Sequence, residues 1–168
     1  VGGRVMYDIA VYDSDDAEFN DGSEMRRARI FVKGKLENDF FYKLQYDFTG
    51  SGREGIRDAY LGYSGVPFLD SVRIGHFTEY GCLEDTTSSK YIMFMERSLP
   101  VLAFVPAARR MGIGADSHGK GWYAGAGVFG EGAEVDNSEE SGAGASARFA
   151  WIPLSEEGNT VHLGVSGQ

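Results

Sequence analysis

Apolar and polar residues alternate with a period of two through most of the chain, and the 3.6-residue period of an amphipathic helix is almost absent. Residues 4–13 place Val5, Tyr7, Ile9 and Val11 on one parity and Arg4, Met6, Asp8, Ala10 and Tyr12 on the other. Residues 26–35 sharpen the contrast, with Ala28, Ile30, Val32 and Gly34 opposed to Arg27, Arg29, Phe31, Lys33 and Lys35. Leu36 to Asp39 predicts a tight turn. Residues 40–48 then set Phe40, Tyr42, Leu44, Tyr46 and Phe48 against Phe41, Lys43, Gln45 and Asp47. Further strands are predicted at 56–64, 71–78, 109–116, 121–130, 143–152 and 159–166, nine in all. Their lengths approach the about 9–11 residues that a tilted membrane-spanning strand needs.

The connections segregate by length. Short turns are predicted at Leu36 to Asp39, Gly65 to Asp70, Ser117 to Gly119 and Ser155 to Gly158, and long loops at 13–25, 79–108 and 131–142, with a shorter one near 50–55. Short turns at one end and long loops at the other is the layout of an outer-membrane barrel, and a soluble sandwich has no reason to sort its loops this way. The expected fold is all-β: an antiparallel meander of about nine strands forming part of a transmembrane β-barrel. Tyr7, Phe40, Tyr42, Tyr46, Phe48, Tyr63, Phe149 and Trp151 share the apolar parity, many near strand ends where an interfacial girdle sits. The rival reading makes them the core, or the sugar-binding surface, of a soluble β-barrel module.

Composition narrows the choice. The 168 residues suit one domain. The 11 Phe, 9 Tyr and 2 Trp exclude a disordered chain. A single cysteine, Cys82, excludes an intrachain disulfide and a Cys-cluster zinc site. No apolar run reaches the about 18 residues of a transmembrane helix. The net charge of −9 argues against nucleic acid as a partner.

That charge is unevenly spread. The inward parity collects Arg4, Arg27, Arg29, Lys33, Lys35, Lys43, Arg73, Arg110 and Arg148 against Asp8, Asp47, Asp58 and Asp116. Acids concentrate instead in the long loops: Asp13, Asp15, Asp16, Glu18, Asp21 and Glu24 in the first, and Glu131, Glu134, Asp136, Glu139 and Glu140 in another. A narrow passage lined by cations concentrates anions and repels cations. Arginine adds a planar fork suited to phosphate or carboxylate oxygens. The acidic loop Asp13 to Glu24 lacks the sixth-position glycine of an EF-hand, so a hydrated surface loop is expected rather than a calcium site.

The 79–108 connection carries Tyr91-Ile92-Met93-Phe94-Met95 and Leu99-Pro100-Val101-Leu102, which would be costly to leave in water. Folding it into the barrel mouth as a constriction loop would bury them. It would also bring Ser88, Ser89, Lys90 and Arg97 to the basic wall, where the serine hydroxyls can donate to an anion.

Several runs resemble the phosphate-selective porins O and P: Gly75-His76-Phe77-Thr78-Glu79-Tyr80-Gly81-Cys82-Leu83-Glu84, Thr87-Ser88-Ser89-Lys90, Met95-Glu96-Arg97-Ser98-Leu99, Gly2-Gly3-Arg4, Arg26-Arg27-Ala28 and Gly158 to Gly164. The resemblance implies a homotrimeric barrel of about 16 strands in the outer membrane of a Gram-negative bacterium, with its third loop folded inward. It implies an anion site of Arg4, Arg26, Arg27, Ser88, Ser89 and Arg97, to which the parity and loop arguments add Arg29, Lys43, Asp58, Arg73 and Lys90. Parity favours Arg27 over Arg26 for the lumen, while the family pattern uses both.

Two departures stand out. Where phosphate-selective members carry a lysine just before the hydroxyl run, this chain has Asp85. Members are also about twice as long, and nine is an odd strand number, so the chain is expected to be the N-terminal portion of one porin barrel domain. The expected function is passive diffusion of phosphate or polyphosphate-like anions, and the nearest rival is a general or carboxylate-preferring porin. Small anions and outer-membrane lipid are the expected partners. No cofactor, metal or catalysis is expected: His76, His118 and His162 are scattered, and neither Thr87 with Lys90 nor Asp58 with Glu96 forms a recognisable catalytic pattern.

Overall fold

A computed structural model describes residues 1–13, 20–50, 52–104, 109–133, 142–157 and 159–168. The nine strands are β1 (Gly2–Ala10), β2 (Gly22–Lys35), β3 (Phe40–Asp47), β4 (Ile56–Tyr63), β5 (Ser71–Thr78), β6 (Arg109–Gly119), β7 (Trp122–Phe129), β8 (Gly144–Glu156) and β9 (Asn159–Gly167). They form one sheet in chain order, each antiparallel to the next, with β1 and β9 at its edges. Two short helices, α1 (Leu83–Thr86) and α2 (Leu99–Phe104), lie in the connection between β5 and β6. Among the described residues no helix is long and apolar enough to cross a membrane, which says nothing of strands.

The alternation becomes two faces. Val5, Leu44, Ile74 and Ile113 are all more than half exposed, whereas Arg27, Asp47 and Asp58 are buried. This inverts the usual soluble arrangement and is the arrangement a lipid-facing wall requires. Glycines let aromatic rings lie across the sheet: Tyr42 covers Gly34, Phe41 covers Gly62, and Trp122 covers Gly119. Gly75 adopts φ +131° against the Ala59 carbonyl, where a Cβ would collide with backbone.

Several boundaries differ from expectation. β1 ends at Ala10 rather than 13, and β2 starts four residues earlier than expected, because the polar run Gly22–Glu24 supplies ladder partners to Asp8, Ile9 and Ala10. Ser117 to Gly119 is strand, and the turn is Lys120–Gly121 with Gly121 at φ +79°. Ser155 likewise belongs to β8, paired with Thr160. In both places turn-prone residues are held in the ladder by their partners.

The concave side carries a small aromatic core in which Phe77, Tyr80 and Phe129 are buried and Tyr60 and Tyr123 pack against them. The apolar run of the long loop does not join it. Tyr91, Met93, Phe94, Met95 and Leu99 are 55–92% exposed within this chain. The loop instead turns its polar stretch, Asp85 to Lys90, to the nine-strand wall, where the arginines offer partners that methionine and phenylalanine lack.

Candidate functional site

Every one of Arg4, Arg26, Arg27, Arg29, Lys43, Asp58, Arg73, Ser88, Ser89, Lys90 and Arg97 lines one concave cavity of about 770 Å³. Eleven of its lining side chains are Lys or Arg and four are Asp or Glu, in a chain whose net charge is −9.

A β-bulge explains how two consecutive arginines share this wall. Met6 pairs with Arg27 and Tyr7 with Met25, so Arg26 is an extra residue without a partner in β1. The bulge re-aims its side chain and Arg26 joins Arg27 on the lining. A second irregularity does the same on β4. Leu44 pairs with Ala59 and Tyr46 with Ile56, leaving Arg57 and Asp58 opposite Gln45 alone, and both line the cavity.

Two aspartates organise the cations. Asp47, fully buried, accepts from Arg29 Nε at 2.6 Å, Thr49 Oγ1 at 2.8 Å and the Ala28 amide at 3.1 Å, with Arg57 at 3.7 Å. Asp58 accepts from Lys43 Nζ at 2.5 Å and Arg109 Nε at 3.2 Å. Each carboxylate therefore holds two cations, which fixes their geometry and leaves a positive surplus. Arg26 pairs with Glu96, which also lies 3.9 Å from Arg27. Arg4 Nε is buried without a hydrogen-bond partner among the described residues.

Arg73 is differently placed. It donates to Asp116 at 2.6 Å and to the Tyr80 hydroxyl at 3.1 Å, and its guanidinium lies within 5.1–5.9 Å of the Tyr60, Phe77 and Tyr80 ring centres. Its charge is balanced and its faces covered. Burial pushes the Tyr80 hydroxyl up to about 12, so it stays protonated.

The loop is tied down at several points. Arg148 donates to the Gly81 carbonyl at 2.9 Å, and the Tyr80 amide donates to Ser146 Oγ at 3.0 Å. Arg97 Nε donates to the Glu84 carbonyl at 3.0 Å, and its Nη2 to those of Asp85 at 3.2 Å and Thr87 at 3.0 Å, satisfying carbonyls that α1 leaves open. Glu84 accepts from the Ser98 amide and hydroxyl, which holds its carboxyl below the ordinary range. Asp85 is buried, its Oδ2 has no partner among the described residues, and burial raises its pKa against the pull of Arg97 and Arg109. Burial likewise raises Glu79, which Arg110 partly offsets at 3.1 Å.

Parity reasoning placed Arg110 and Lys35 in the lumen, and neither lines the cavity. Arg109 does, although parity passed over it. Arg57 was missed as well, because a bulge is set by pairing and leaves no periodic mark. Arg148 is inside but spends its Nη1 donor on Gly81. Among the described residues no cluster of His, Cys, Asp and Glu could hold a metal. Asp15, Asp16 and Glu18 of the acidic first loop, and Glu134, Asp136, Glu139 and Glu140 of the later one, lie outside the described residues.

The model of the family "phosphate-selective porin O and P" matches residues 1–168. Porin O of Pseudomonas aeruginosa is 29% identical over 180 aligned residues, covering 99% of this chain and 40% of that protein. The chain thus spans less than half the length of this relative. No solved structure matches.

Proposed function

The chain belongs to the phosphate-selective porin O and P family, and from that premise we propose that it forms one wall of an anion-conducting pore in the outer membrane of a Gram-negative bacterium. The observation that carries this reading is the excess of eleven cations over four acids on the concave face of a net-acidic chain. Such a wall raises the local anion concentration and excludes cations without any chemical step. The whole would be a homotrimer of closed barrels in lipid, permeable to phosphate or polyphosphate-like anions, with residues 79–108 as the constriction.

The lining residues divide the work. Arg4, Arg27, Lys90, Ser88 and Ser89 are the donors for a passing anion, and Arg26 adds charge while paired with Glu96. Arg29 and Lys43 contribute charge while anchored on Asp47 and Asp58. Arg73 and Arg97 serve the geometry of wall and loop, given their partners. Asp85 supports a second reading, a general or carboxylate-preferring porin, because a carboxylate on the lining weakens the hold on a multivalent anion.

Reversal potentials in a potassium chloride gradient, measured on the full-length protein in planar bilayers, test the first claim. A strong preference for chloride is expected, and a preference for potassium would refute it. Block of chloride current by phosphate separates the two readings. Asp85→Lys is expected to tighten that block by about tenfold, the effect of reversing one buried charge beside the anion path.

A further inference from the structure

Within the anion-pore reading, which this inference rests on, we propose that Asp85 makes the constriction a reader of protonated oxyanions, accepting a hydrogen bond from the P–OH of hydrogen phosphate that sulfate cannot supply. Asp85 is 6% exposed, lines the cavity, and its Oδ2 has no partner among the described residues. A buried acceptor left open is costly, and a ligand that fills it gains what the protein alone forgoes.

The same cavity holds the complementary donor. Arg4 Nε is also buried and unpartnered among the described residues. Arg4 and Asp85 both line this cavity, together with Ser88 and Ser89. Chloride and sulfate are acceptors only. They satisfy the arginine, leave Oδ2 open and meet its negative charge. Hydrogen phosphate carries bare oxygens for Arg4 and the Ser88 and Ser89 hydroxyls, together with one O–H for Asp85. A lysine at this position would add attraction for every anion alike. A carboxylate trades that attraction for discrimination, as a site built around a substrate's O–H discriminates strongly against an analogue lacking it. Hydrogen arsenate belongs to the accepted class.

The test compares two dianions of similar size in planar bilayers holding the full-length protein. At about pH 8 inorganic phosphate is chiefly HPO4 2−, and sulfate has the same charge without the proton. Phosphate is expected to block chloride current at about tenfold lower concentration than sulfate, the worth of one hydrogen bond to a charged group. Asp85→Ala is expected to bring the two blocking concentrations together. Asp85→Lys is expected to tighten both and also to erase the difference. Equal block of the wild-type pore by the two anions, or an unchanged ratio in Asp85→Ala, would overturn the proposal while leaving an anion pore intact. A wild-type pore that prefers potassium and is blocked by neither anion would overturn the underlying pore reading, and this inference with it.

Discussion

Asp47 shows how much a single side chain can hold on this wall. It joins β2 to β3 through Ala28 and Arg29, and reaches β4 through Arg57. Asp47→Ala would leave Arg29 and Arg57, both only partly exposed, without this counter-charge, at a cost approaching the about 3–5 kcal/mol of breaking a buried pair. The variant is expected to unfold at clearly lower denaturant concentration in detergent, with an unchanged midpoint as the contrary result. Arg97 carries a different load, three main-chain carbonyls rather than a carboxylate. Arg97→Ala is expected to raise hydrogen exchange across residues 83–98 by at least about tenfold, with little effect in the strands. Arg97→Lys, with a point charge in place of a fork, is expected to recover only part of the protection. Both residues stand in the sequence as charges of suitable parity or position. Their loads do not, because hydrogen-bond partners 10–19 residues away are set by register and loop path.

At the scale of elements, the strands were legible and the irregularities were not. Alternation marks a strand wherever one face is greasy, as in β2 and β3, and it marked the faces of Arg27, Ile30 and Leu44 correctly. It is silent about bulges, which put Arg26 and Arg57 on the lining. It is silent also about the path of the 79–108 connection, whose apolar residues suggested burial and whose polar residues took the wall. That connection should respond to acid in two ways. Asp85 and Glu79 have raised pKa values through burial, so they take up protons at higher pH than ordinary carboxyls. Lowering the pH toward the ordinary carboxyl range therefore removes negative charge from the lining before unshifted carboxyls titrate, and chloride-over-potassium selectivity is expected to rise. Asp85→Asn should flatten that dependence. Glu84 is shifted the other way: its folded pKa is depressed, so the Ser98 clamp is present above the ordinary glutamate value and is lost only as pH falls through the lower one. Ser98→Ala should move loosening of the loop, read by hydrogen exchange, to higher pH.

Across the whole molecule the two faces of one sheet differ in chemistry. Leu44, Ile74 and Ile113 lie on the exposed side, opposite a wall crowded with arginine. If that side meets hydrocarbon, Ile74→Arg should cost about 2–4 kcal/mol when the barrel is unfolded from lipid. Ile74→Leu should cost little, and equal stability of the two variants would contradict a lipid-facing position. The faces follow from period two alone, and this much of the molecule could be read before any contact was known. The sum of charges could not have revealed the wall, since the acids of the long loops outweigh its cations in the total.

The lack of a β1 ladder partner for Arg26 has a consequence for how the strand tolerates change in length. Residues Gly22 to Met25 are already one step out of phase with Ala28 to Phe31 in their pairing to β1. Deleting Arg26 would close that step and leave every other partnership in place, at the loss of one cation. Deleting Arg29 would leave Arg27 and the residues before it to exchange faces, sending an arginine to the apolar face and Ala28 to the charged one. Position 26 is thus the place in β2 where the strand can lose a residue while the wall stays in order.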